Sequence, residues 1–277
     1  MTTATADPVQ ELEEHRAGRR AAAVGRRGPA SFVWGDFVTE PGTVVTAAPG
    51  RWAPLPDGRA GLEVTASAEE GIRIGGEVVD GTAVLHASAE DGPAVAEFPD
   101  GAEGVVFSYD DSRYALQVWN PRSEWAQRFA GVSAYPYDPS WVTPGEVALI
   151  DSGRTVAIAH HRDPRPVDVP VIAEVRFERD GREHVLLGTG GGPGRPGITL
   201  LFTDATSGPE TYPAGRVLYL PERRAGAVEL DFNRLSLLPC AFSLAWNCPV
   251  PAAENALGIA VRAGEKHAVD RDGEDLL

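Results

Sequence analysis

From Ser31 onward the chain alternates. Segments such as SFVWGDFV, GTVVTAA, GLEVTAS, GIRIGGEVV and TAVLHAS place apolar residues at every second position, or run apolar throughout, over short spans. A side-chain period of two turns one face of an extended strand toward a core, and each run here ends at Gly, Pro or Asp. AVAEFP, GVVFSYD and YALQVWNP carry the pattern to about Asn120. No helix of ordinary length interrupts it, which argues against a parallel sheet built from strand–helix–strand crossovers. The 31 glycines and 23 prolines are spread along 277 residues and read as turn punctuation between many short strands. The expected fold is mainly β, with an N-terminal helix, a β-sandwich-like N-terminal part and an antiparallel, β-barrel-like C-terminal part.

The one convincing helix is expected over residues 8–23. Pro8 suits a first turn, and Glu11, Glu13 and Glu14 precede Arg16, Arg19 and Arg20, the charge order that favours the helix dipole. Val9 and Leu12 offer few apolar anchors, so His15, Arg19 and Arg20 read as a solvated face. Residues 121–170 hold two tryptophans and two tyrosines among prolines and suggest a packed irregular crossover. RDPRPVDVPV then reads as a linker or the lead-in to an edge strand. The expected division is a helical arm at 1–27, a sandwich-like domain at 28–165, a second β domain at 166–265 and a polar, disordered tail at 266–277. Within the second domain Asp180-Gly181 signals a tight hairpin. GTGGGPGRPG (188–197) reads as a flexible turn, because no helix follows to make it a phosphate cradle.

A net charge of −15 argues against a nucleic-acid backbone as partner and disfavours anionic membranes. No apolar run reaches the roughly 18 residues of a membrane helix, and the N-terminus lacks the pattern of a secretion signal. Cytoplasm is the expected location, where Cys240 and Cys248 would be reduced.

Chemistry-bearing side chains crowd into residues 199–255. Asp231 and Asn233 are a carboxylate and an amide able to orient a substrate or act as base, or to cap a turn. Arg234 is either an ion-pair partner of Glu210 or Glu254, or a substrate clamp. Glu210 and Tyr212 could supply acid and base, or satisfy each other in a core. Asp204, Thr206, Ser207 and Gly208 resemble a turn, and Ser207 lacks the flanking glycines of a nucleophile elbow. Cys240 and Cys248, with seven residues between them, are structural thiols, a disulfide or half of a metal site. The candidate catalytic set is Asp231, Glu210, Tyr212 and Asn233. Arg234, Trp246, Thr206, Glu254 and Asn255 form the candidate substrate-binding set.

Taken together, DATSGPETYPAGR and LDFNR…PCAF…CPVPAAEN resemble the signature of the bacterial domain of unknown function 1684 family. The resemblance is specific over the last hundred residues and looser over 28–170. It implies a mostly β protein and no activity. Where relatives tend to carry a polar run after DFNR, this chain has Leu235, Ser236, Leu237 and Leu238. Ala256 stands where an arginine is common. Both departures suit a pocket re-lined for an apolar ligand, in a member specialised for secondary metabolism. The expected function is a cofactor-independent enzyme performing acid–base hydrolysis, isomerisation or cyclisation on a small, largely apolar organic molecule. A non-catalytic small-molecule-binding protein and a protein-interaction module are the rival readings. No Walker loop, Rossmann fingerprint or His-rich metal run calls for a cofactor.

Overall fold

The structure, a computed structural model, describes residues 7–56, 59–87, 94–110, 113–191 and 196–277. Its helix α1 spans Pro8–Ala23, as the charge order predicts. The chain packs as two units, one of Ala21–Phe129 with Phe242–Trp246, the other of Met1–Arg20, Ala130–Ala241 and Asn247–Leu277. Each is built from antiparallel strands.

The first unit holds strands β1 (Phe32–Phe37), β2 (Thr43–Val44), β3 (Arg51–Pro54), β4 (Gly61–Ala66), β5 (Arg73–Ile74), β6 (Glu77–Val78), β7 (Gly81–His86), β8 (Val95–Glu97), β9 (Glu103–Asp110) and β10 (Arg113–Trp119). They form a six-stranded sheet, β1-β10-β9-β8-β5-β6, and a four-stranded sheet, β2-β3-β4-β7. Trp52, Leu62, Val64 and Leu85 of the smaller sheet share a core with Val106, Leu116 and Val118 of the larger. This is the sandwich the alternation predicts. Burial alternates along β4 because successive side chains leave opposite faces of the pleat.

The second unit holds β11 (Phe129–Ala134), which pairs with β20 (Glu265–Asp270), and a sheet of eight strands. The latter are β12 (Val142–Leu149), β13 (Thr155–His160), β14 (Asp163–Arg179), β15 (Arg182–Gly190), β16 (Ile198–Phe202), β17 (Arg216–Leu220), β18 (Gly226–Asp231) and β19 (Ser236–Leu237). The order is β18-β12-β14-β15-β16-β17-β19, with β13 against the first half of β14. The sheet does not close into a barrel among the described residues. Phe177, Leu186, Phe202, Leu230 and Phe232 lead its core.

Three expectations need correction here. The supposed linker is the first half of β14, paired with β13, so the boundary placed near residue 165 falls inside a strand. Pro166 and Pro170 fit there because that half-strand pairs on one side only among the described residues, leaving the other side free of ladder donors. The irregular crossover instead contains β11, β12 and β13. The tail is not disordered: β20 occupies it, and Ala268 and Leu276 are buried. The hairpin at Asp180-Gly181 does form, with both residues at positive φ, 52° and 70°, as a two-residue turn between β14 and β15 requires. Of the turn expected at 188–197, residues 192–195 lie outside the described residues, and Gly188–Gly190 end β15.

Candidate functional site

In the second unit a cleft of about 1010 Å³ opens between α1 and the β17–β19 region. Pro8, Glu11, His15 and Arg19 line it from α1, at the spacings of three and four that share one helical face. The opposite wall has Val217–Pro221, Ser236–Pro239, Glu229, Asp231 and Arg234, with Tyr137 and Val142 at the side. Ser236, Leu237 and Leu238 therefore line this space, while Leu235 is core.

Polar contacts hold α1 against this wall more than its thin apolar stripe does. Leu12 is buried, but Arg19 grips Glu265 with two hydrogen bonds of 2.5 and 2.9 Å. The other duty of Glu265 is to accept the Leu237 N–H at 2.7 Å, which ties the helix, β19 and β20 together. Arg16 donates to the Tyr135 carbonyl at 2.8 Å. Between these anchors sits His15. Its Nε2 is buried without a hydrogen-bond partner. Burial first, then the Arg234 and Arg19 guanidiniums, hold its pKa below the ordinary 6.5, so the ring is neutral at pH 7.

Asp231 and Asn233 do meet, but as a turn cap. The strand gives way to a short 3-10 turn, Phe232–Arg234. Asp231 Oδ1 accepts the Asn233 N–H at 3.0 Å and its Nδ2 at 2.9 Å. Asn233 also exchanges two hydrogen bonds with the Asp138 backbone, at 2.9 and 3.0 Å. Arg234 folds back onto Asp231 Oδ2 at 3.2 Å and reaches Glu11 at 3.6 Å, so neither Glu210 nor Glu254 is its partner. Asp231 and Arg234 border the cleft; Asn233 is buried behind it.

The DATSG and AGR segments build a rivet. Asp204 and Arg216 form an ion pair at 2.7 Å with both side chains fully buried. Asp204 Oδ1 takes the Thr206 N–H at 2.8 Å, its hydroxyl at 2.6 Å and the Val261 N–H at 3.2 Å. Arg216 also donates to the carbonyls of Val261, Ala263 and Glu265, closing the loop before β20. Gly215 sits at φ +84°, and a Cβ there would lie 2.4 Å from the Phe202 carbonyl oxygen. Thr206, a candidate for substrate binding, is completely buried in this rivet.

Residues 127–266 match a family described as "Protein of unknown function (DUF1684)", half of the chain. The chain belongs to the DUF1684 family. The matched span contains the rivet, the cap at Asp231 and the β-sheet wall of the cleft; α1 lies outside it. This DUF1684 chain is also similar to a solution NMR structure of an uncharacterized protein from Haloarcula marismortui. Identity is 29% over 50% of this chain and 77% of that one, with a TM-score of 0.41. Comparison with curated proteins gives no match.

The remaining candidates of the DUF1684 signature are dispersed. Glu210 is clamped by Arg262 through contacts of 2.7 to 3.1 Å and accepts the Tyr135 hydroxyl at 2.8 Å. The Arg262 guanidinium, then the Tyr135 bond, hold its carboxyl down at about 2. Tyr135 is pushed up to about 12 by burial and by the same hydrogen bond. Glu210 is thus a permanent anion near neutral pH and a weak base. Tyr212 donates to the Cys240 carbonyl at 2.9 Å rather than to Glu210, and burial raises its pKa. Cys240 and Cys248 are free, buried thiols, with the Cys240 N–H on Cys248 Sγ at 3.2 Å. Hydrogen bonding between the two side chains lowers the pKa of Cys240 and raises that of Cys248. Trp246 belongs to the other unit, stacked on Phe32 at 3.9 Å and bonded to the Pro29 carbonyl. Glu254 is exposed; Asn255 is buried between strands.

His15, Arg19 and Glu265 were not on the sequence's list of candidates. The available signal was the 8–11–15–19 stripe, polar on the face that a buried helix would leave apolar.

Proposed function

We propose that this DUF1684 protein is a cofactor-independent acid–base enzyme, with His15 as its base, acting on a small organic molecule in the cleft under α1. One observation carries the reading: an imidazole in the wall of a roomy cleft, kept neutral by burial and by neighbouring guanidiniums. A neutral imidazole can take a proton from an acidic C–H or O–H, and perturbed titratable groups in clefts mark functional sites more often than chance. Arg234 remains partly exposed with N–H groups to spare, placed to meet negative charge developing on a substrate oxygen. Leu237, Leu238 and Val217 supply an apolar bed for the rest of the molecule. Return of the proton to another atom completes an isomerisation; delivery to a leaving group completes a hydrolysis. The acidic surface and reduced cysteines suit work in the cytoplasm.

The specific observation favouring the non-catalytic binding reading is that both oxygens of Asp231 and the whole amide of Asn233 are already engaged. One experiment separates the two. The full-length protein is incubated in D2O with a panel of enolisable ketones, lactones and esters and followed by proton NMR. Deuterium incorporation or turnover should appear for at least one member and fall about 10²- to 10⁴-fold in His15→Gln, the usual worth of a general base. The wild-type rate should hold on the acid side to a pKa below 6.5. Turnover that survives His15→Gln would remove His15 from the mechanism. Saturable binding with no turnover of any member would make the protein a binding module.

A further inference from the structure

A second cavity lies where β15 and β16 part, and it shares no lining residue with the cleft under α1. These strands pair at two positions only, Thr189 with Thr199 and Gly190 with Ile198. At the next outward-facing step, where Leu187 and Leu201 would exchange hydrogen bonds, the carboxamide of Asn255 is inserted instead. Its Oδ1 accepts the Leu187 N–H at 2.8 Å, and its Nδ2 donates to the Leu187 and Leu201 carbonyls, both at 2.9 Å. One side chain thus bonds three backbone groups on two strands where they part. Asn255 is itself 5% exposed.

The space so opened measures about 310 Å³. Val156, Ile158, Leu187, Leu201 and Ala252 line it together with Thr189 and Thr199, and His160 is its one ionisable side chain among the described residues. With the Asn255 amide consumed by the strands, Thr189, Thr199 and His160 are the side chains that bring further polar atoms to these otherwise apolar walls. Mainly apolar walls favour apolar guests, and an enclosed hole of about 150 Å³ accepts benzene. Twice that volume suits roughly a dozen heavy atoms. Among the described residues no Asp, Glu, Lys or Arg lines the cavity to compensate a charged guest.

We propose that this cavity is a binding site for an uncharged, compact apolar molecule of bicyclic-aromatic size, carrying at most one hydroxyl or carbonyl that meets His160. The site is separate from the His15 cleft, and its ligand is not the substrate of that cleft. Asn255 acts as the strut that keeps it open.

The test uses the full-length protein and 2-naphthol as probe, with 2-naphthalenesulfonate as its charged counterpart, by isothermal titration. Wild type should bind 2-naphthol saturably at one site and the sulfonate at least tenfold more weakly. Ala252→Phe, which fills the cavity, should weaken 2-naphthol at least tenfold; Val156→Phe fills it from another wall in case the first variant fails to fold, and thermal melting confirms folding. His15→Gln should leave the affinity unchanged. No saturable binding by wild type, equal binding of the sulfonate, or equal binding by both folded filled variants would each overturn the proposal. Loss of binding in His15→Gln would assign the probe to the other cleft and overturn it too. Failure here leaves the His15 assignment standing, since that rests on turnover.

Discussion

Replacing Arg216 by methionine should unfold the second unit at far lower denaturant than wild type. The substitution keeps an unbranched side chain of comparable length but strands the Asp204 carboxylate, whose side chain is 0% exposed. Removing one partner of a buried pair costs about 3–5 kcal/mol, mostly because the remaining charge is left uncompensated. Three donors stay on Asp204, the Thr206 N–H and hydroxyl and the Val261 N–H, which pulls the figure toward the lower end. The carbonyls of Val261, Ala263 and Glu265 lose their donor at the same time, which pulls it back up. With an m-value of about 2–3 kcal/mol/M, the urea midpoint should fall by roughly 1–2.5 M. Circular dichroism follows the transition, and hydrogen exchange should place the loss in Ala130–Ala241 and Asn247–Leu277. The double variant Asp204→Leu/Arg216→Met should recover most of the loss, because apolar residues of similar volume replace a buried ion pair at little cost. A single-variant loss under about 1 kcal/mol, or a double variant no better than the single, would refute the rivet as an electrostatic device.

Two further outcomes follow from the same side chains. Glu210 has a folded-state pKa of about 2 against an ordinary 4.5, so its contribution is complete above 4.5 and is lost as pH falls toward 2. Glu210→Gln should flatten the stability-versus-pH curve in that window and leave its shape near neutrality; an unchanged slope between pH 2 and 4.5 would show that Arg262 does not hold the carboxylate in solution. Gly215→Ala should destabilise by more than the roughly 1 kcal/mol typical of a left-handed residue, because its Cβ would also strike the Phe202 carbonyl 2.4 Å away. A melting temperature equal to wild type would mean the turn relaxes freely.

What the sequence alone determined about this protein is its local grammar. Alternation along GLEVTAS and EVRFERD yields strands because a pleat turns successive side chains to opposite faces, whatever lies across the sheet. Asp180-Gly181 yields its hairpin because sterics at positive φ admit few residues. The charge order of residues 8–20 yields α1 by the same local logic. Residues of the DUF1684 signature make structural contacts: Thr206 in the rivet, Asn233 in a cap, Asn255 between Leu187 and Leu201. Partners across the chain were decided only by the tertiary structure. Arg19 meets Glu265 across 246 positions, and that contact converts a face that reads as solvated into the wall of a cleft. Neutral His15 exists partly for the same reason: the Arg234 guanidinium comes from an element remote in sequence, while Arg19 lies one turn along α1 itself. Short-range sterics and backbone hydrogen bonding act within a few residues and can be read along the chain. Desolvation and ion pairing depend on what the folded sheet brings alongside, and they decide which of many polar side chains is left with an unsatisfied atom.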